Sequence, residues 1–234
     1  MKIAIMQPYF LPYLGYFQLL NAVKKFVVYD NIQYSKKGWI NRNRILSNGV
    51  DSMFTIPLEK SSDYLDVNQR SISEQFIKVE RDKILRRIRN EYKNAPSFES
   101  VMPLVERVFN YPELNLFEYI YYSIKEISNY LEITTQLQIS SKINIDHNLK
   151  SQKKVLEICK ALHAQEYINP IGGLELYSKK EFLDSGIKLM FMKTNSISYQ
   201  QFNNEFLPNL SIIDVLMFNS KEEIQKMLQE YELI

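Results

Sequence analysis

The first 45 residues constrain the fold more than any other stretch of the 234-residue chain. Lys2 to Met6 (KIAIM) is short, apolar and β-prone, and Pro8 and Pro12 forbid helix in the segment that follows. Gly15 to Val23 (GYFQLLNAV) reads as a helix with Phe17, Leu20 and Val23 on one face. Lys24 and Lys25 suit its C-terminal end. Phe26 to Asp30 (FVVYD) reads as a second buried strand. Strand, loop, helix and strand in about 30 residues is the size of one βαβ unit. This predicts an α/β, Rossmann-like fold, a mostly parallel sheet flanked by helices, with ligands held beyond the carboxyl ends of the strands.

The remaining pattern suits that class. Ser52 to Leu58 reads as a third strand ended by Pro57, and Glu59 to Arg70 as a polar loop. Helical periodicity then covers Val79 to Ala95, Ser97 to about Asn110, and Asn115 to Glu132. These three predict a helical insertion or subdomain over residues 79–132, within a chain otherwise read as one α/β domain spanning 1–234. Gln138 to Ile143 and Glu166 to Asn169 read as strands, with a helix from Asn148 to His163 between them. Ser178 to Ser185 is a helix with Ser178 as cap and Glu181 at the capping-box spacing. Ile187 to Met192 is expected as the final buried strand, followed by helices over Ser211 to Phe218 and Lys221 to Tyr231.

Several function classes drop out on composition. A net charge of +2 is too small for a DNA-binding surface and argues against a large tRNA footprint. One cysteine, Cys159, rules out an intramolecular disulfide and suits a reducing compartment. With no apolar run of spanning length and no signal-peptide pattern, the expectation is a cytoplasmic protein without membrane insertion. His147 and His163 lack metal-ligand spacing, so no metal site is expected.

Local charge is more informative. Asn21 to Ile45 holds six cations, Lys24, Lys25, Lys36, Lys37, Arg42 and Arg44, against the single anion Asp30. The loop Asn31 to Arg44 (NIQYSKKGWINRNR) ends in two amides and two guanidiniums, Asn41-Arg42-Asn43-Arg44, a dense donor array. Trp39 in the same loop reads as a stacking platform or as a plug beneath it. A helix start near Gly15 presents free N–H groups to an anion. Gln7 either ties down the two prolines or touches ligand, Tyr9, Tyr13 and Tyr16 read as packing or as ligand contacts, and Gln33 is a further candidate in the basic loop. Gly172-Gly173 follows a strand and admits a close backbone approach, with Glu175 and Tyr177 alongside. Asp30 reads as a turn cap or as a base or amine holder.

Three blocks resemble the WbqC-like protein family. They are Ile5-x-Gln7-Pro8-x-Phe10-Leu11-Pro12-x-Leu14-Gly15-Tyr16, then Phe26-Val27-Val28-x-Asp30-x-Ile32-Gln33-Tyr34-Ser35-Lys36, and Asn41-Arg42-Asn43-Arg44-Ile45. Asn169-Pro170-Ile171-Gly172-Gly173, Glu175-Leu176-Tyr177 and Leu210-Ser211-Ile212-Ile213-Asp214-Val215-Leu216 extend the likeness along the chain. Met6 stands where many members carry histidine, and Asn219-Ser220 where a glycine often follows. The resemblance implies a setting in bacterial O-antigen or other surface-polysaccharide gene clusters, which often make nucleotide-linked amino sugars that are then acylated. Tyr29-Asp30-Asn31-Ile32-Gln33-Tyr34 is also similar to a segment of nucleotidylyl-transferring α/β enzymes.

The leading expectation is therefore a transferase that acylates, or aminoacylates with a residue such as glycine, the amine of a nucleotide-linked amino sugar. Asp30 would be base or amine holder, Arg42 and Arg44 phosphate clamps, and Asn41 or Asn43 oxyanion donors. The donor is free amino acid with ATP and magnesium, or an aminoacyl-tRNA. Two alternatives stand beside it: a nucleotidylyltransferase, and a sugar-nucleotide-binding protein without turnover. A homo-oligomer is compatible with all three.

Overall fold

The computed structural model describes residues 1–234. The chain runs β1 (Lys2–Met6), α1 (Leu14–Asn21), β2 (Lys25–Val28), β3 (Arg42–Ser47) and β4 (Val50–Thr55). Three helices follow, α2 (Arg81–Tyr92), α3 (Phe98–Phe109) and α4 (Leu116–Tyr130). Then come β5 (Gln136–Ile139), α5 (Ser151–Ala161), β6 (Glu166–Pro170), α6 (Lys179–Asp184) and β7 (Lys188–Thr194). The chain closes with α7 (Ile212–Phe218), α8 (Lys221–Met227) and β8 (Tyr231–Leu233).

Six strands form the main sheet in the order β5-β2-β1-β6-β7-β8. All pairings are parallel except β7 with β8. The strand order reverses between β1, which pairs Ile5 with Val27 of β2, and β6, which pairs Tyr167 with Ile3. That reversal is where a doubly wound sheet opens a crevice. The α/β expectation is met.

Period-two alternation explains why both faces are covered. Ile3, Ile5 and Val27 point into a core shared with Ile158 of α5 and Phe182 of α6. Ala4, Phe26 and Val28 point the other way, into a larger core with Phe17 and Leu20 of α1. Ile88 of α2, Val105 of α3 and Ile120 of α4 join that same larger core. The three helices of the 79–132 span thus pack on the α1 side of the sheet.

Several elements differ from the sequence expectation. The basic loop ends earlier than expected, because β3 begins at Arg42 with Asn43, Ile45 and Leu46 buried. It pairs antiparallel with β4 through the two-residue turn Asn48-Gly49, at φ 50° and 81°. One turn of π-helix, Phe76–Glu80, precedes α2. The last helix is shorter than expected: α8 stops at Met227 and the chain turns back to add β8, a strand with no buried residue, at the edge of β7.

Candidate functional site

Three segments that leave the sheet converge around α1. The β1–α1 loop supplies Tyr9, Pro12 and Tyr13, the basic segment supplies Trp39, Asn43 and Arg44, and the stretch after β7 supplies Asn209. Together they line a chamber of about 300 Å³. A second chamber of about 760 Å³ adjoins it and shares Tyr13 and Asn209. Its wall includes Leu14 and Gly15 at the start of α1, Thr194 at the end of β7, and Ser196, Ser198 and Tyr199 beyond. The amino-terminal loop and the basic segment therefore do face one cleft.

Local chemistry explains each wall. Pro12 and the extended Tyr13 start α1 with no side-chain cap on its first amides. Gly15 is required for packing: a Cβ there would lie 2.5 Å from the Tyr13 ring and 3.2 Å from Thr194 Oγ1. Burial pushes the phenols of Tyr9 and Tyr13 upward in pKa, and their mutual repulsion adds to the shift at Tyr9. Both stay protonated as hydrogen-bond donors. Tyr16, one turn on, is buried and donates to the Gln7 carbonyl at 3.2 Å, so it supports the loop from beneath. Gln7 itself accepts from Tyr9 at 3.4 Å.

Trp39 is 39% exposed and has two guanidiniums over its ring, Arg42 at 5.7 Å and Arg44 at 5.3 Å. It lies at the surface and is not a buried plug. Arg42 donates from Nε to the Gly38 carbonyl at 2.8 Å and also to the Lys37 carbonyl, closing the basic loop on itself. Arg44 pairs with Asp51 at 3.0 Å and reaches the Asn209 carbonyl at 3.3 Å, bridging β3 to the stretch after β7. Arg44 faces the cleft; Arg42 is absent from its wall.

Other expected roles change. Asn41 is buried, accepts from Tyr34 at 2.9 Å and donates to the Ile56 carbonyl at 2.7 Å. Asn43 donates to the carbonyls of Phe10 and Leu11 at 3.2 and 2.6 Å, and its oxygen accepts from the Arg44 amide. Neither amide is free to hold an oxyanion: Asn43 fastens the β1–α1 loop to β3, and Asn41 ties the basic segment to the chain after β4. Asp30 is 2% exposed and accepts from Ser140 Oγ at 2.7 Å, the Ser141 amide at 2.8 Å and Asn68 at 2.8 Å. Burial raises its pKa, but these hydrogen bonds outweigh it and leave the carboxyl below its ordinary value. A saturated, well-ionised carboxylate is a clamp between β2 and the chain after β5, and a poor base.

The rest of the predicted set lies away from the cleft. Lys36 pairs with Asp63 at 2.7 Å, and Gln33 donates to the Asp63 carbonyl at 3.0 Å, so both anchor the 60s loop. Lys37 and Glu175 are exposed. Tyr177 stacks edge-on against Tyr167 and Phe182, on the α6 side. Gly173 is there because a Cβ would sit 1.9 Å from Asn169 Nδ2, whereas Gly172 has nothing within 4 Å.

Two features escaped sequence reasoning. Residues 194–199 and 206–210 form much of the larger chamber, in a stretch without periodicity. Lys154 of α5 is 4% exposed, lies 5.1 Å from the Tyr29 ring and donates to the Asn31 carbonyl at 3.3 Å. Burial lowers its pKa, and Asp66 and Asp30 pull it partly back. Helical periodicity shows that it lies on α5, but only the fold brings it to Tyr29.

No solved structure matches the chain. An uncharacterized protein of Mycobacterium tuberculosis is 25% identical over 224 residues, covering 93% of each chain. The Gln7-to-Tyr16 loop, the basic segment and the 169–177 turn all fall inside residues 7–226, which match the model of the WbqC-like protein family, and the chain belongs to that family.

Proposed function

We propose that this protein binds a nucleotide-linked amino sugar in the two-chambered cleft and transfers an acyl or aminoacyl group to its amine. The observation that carries the reading is the meeting of Tyr9, Tyr13, Trp39 and Arg44 in one chamber at the carboxyl end of the sheet. Aromatic faces take a base or sugar ring, and an arginine beside them takes a phosphate oxygen. The adjoining chamber, with Thr194, Ser196, Ser198 and Lys193, accommodates the second substrate.

In the transfer, the amine nitrogen attacks the acyl carbonyl and the bond to the leaving oxygen breaks. No carboxylate, imidazole or thiol lines either chamber. The protonated phenol of Tyr13, which no group of the chain engages, then serves as donor to the developing oxyanion, and the proton lost by the amine departs on the leaving group. That same lack of a base favours a second reading, a sugar-nucleotide-binding protein without turnover.

Trp39 is the sole tryptophan, so its emission reports the cleft directly. Titration with a panel of UDP-, dTDP- and GDP-linked amino sugars is expected to change that emission for at least one of them. In calorimetry, Trp39→Ala weakens that binding about 10- to 100-fold, the value of one lost stacking contact. Mass spectrometry of the bound sugar with activated acyl donors separates transfer from binding alone. A panel that leaves both emission and heat unchanged sinks the reading.

A further inference from the structure

A second, chemically opposite groove lies behind the stretch that walls the first cleft. One cavity of about 650 Å³ contains Tyr199, Phe202, Phe218 and Asn94, and another of about 270 Å³ contains Asn48, Asn90 and again Asn94 and Phe202. The two share Asn94 and Phe202 in their walls. They touch the larger chamber of the first cleft only through Ser198 and Tyr199.

Seven side-chain amides line this groove, and neither lysine, arginine nor histidine does. Asn48, Asn90, Asn94 and Asn203 are exposed, and their side-chain amides pair with no other group of the chain. The two carboxylates on the walls are already engaged. Glu91 accepts from Ser47 and the Asn48 amide at 2.8 and 3.3 Å, and Glu223 caps α8 through the Ser220 amide at 2.7 Å. The floor is aromatic: Phe202 meets Phe218 edge-on with centroids 4.7 Å apart.

We infer that this groove binds a neutral oligosaccharide. A sugar hydroxyl both donates and accepts, and a free primary amide offers both partners on one group. Aromatic surface between the amides takes the apolar face of a pyranose ring. The absence of cations, with two carboxylates on the wall, disfavours nucleotides and other anions, which the first cleft suits through Arg44 and Lys193. Two neighbouring cavities with a common wall extend from the β3–β4 turn to α8, a span suited to more than one sugar ring.

Immobilised protein is to be screened against neutral and anionic oligosaccharides, with calorimetric titration of those retained. A neutral oligosaccharide is expected to bind with little dependence on sodium chloride. The double variant Asn90→Ala/Asn94→Ala, at exposed positions, weakens it about tenfold through lost hydrogen bonds, and Trp39→Ala leaves it unchanged. Retention of anionic glycans only, no neutral glycan titrating at millimolar concentration, or equal affinity in the folded double variant would each overturn the assignment.

Discussion

At the residue scale, two buried carboxylates pull stability in opposite directions with pH. Asp30 is held below the ordinary value of 3.8 by its hydrogen bonds, so its contribution is complete above 3.8 and is lost as pH falls through the lower folded value. Asp30→Ala strands Ser140 and Asn68 and is expected to cost about 2–4 kcal/mol in urea unfolding at pH 7. Asp214 of α7 is fully buried, with Tyr92, Tyr199 and Gln201 donating at 2.8, 2.7 and 2.6 Å and no cation in its hydrogen-bond shell. Burial raises its pKa and the three donors restrain the rise. Its stabilising share is therefore present below 3.8 and declines as pH climbs through the raised folded value. The stability gap between wild type and Asp214→Asn should narrow in urea titrations from pH 3 to pH 7; a gap that widens would contradict this. Sequence shows Asp30 only as a carboxylate after a strand, which reads equally as cap or base. Its partners Ser140 and Asn68 lie 110 and 38 residues away, and they decide the matter.

At the element scale, the two adjacent glycines after β6 separate structure from surface. Gly173→Ala drives a methyl into Asn169 and is expected to cost about 1–3 kcal/mol, read as a shifted thermal midpoint. Gly172→Ala meets nothing and should leave that midpoint in place. The cap at Ser178 was legible, its side chain accepting from the Glu181 amide three residues on; Asn115 reads in sequence only as a helix start, and it also caps, through the Glu118 amide. Asn48-Gly49 is a hairpin signal in plain view, and it marks the turn that joins β3 to β4. Strand β3 itself was obscured because Arg42-Asn43-Arg44 places polar residues on both faces, with Asn43 turned inward to bond the β1–α1 loop. The wall after β7 had no periodic signal at all. It is placed by distant bonds, such as the Ser211 amide to the Arg44 carbonyl at 2.8 Å.

At the scale of the whole molecule, the two ends of the chain are laced together. Gln18 of α1 donates to the carbonyls of Met227 and Glu230 at 2.7 and 2.9 Å, just before β8 covers the edge of β7. Removing residues 231–234 uncovers that edge, and light scattering should then show concentration-dependent association absent from the full chain. A parallel sheet was predictable from the opening βαβ pattern, but the neighbour on the other side of β1 was not. That neighbour is β6, with Lys2 opposite Glu166. During synthesis the opening strand thus leaves the ribosome with one flank bare and waits for most of the polypeptide to be made before its second mate arrives. Over that interval, chaperones and sister nascent chains compete for the same row of unsatisfied peptide groups.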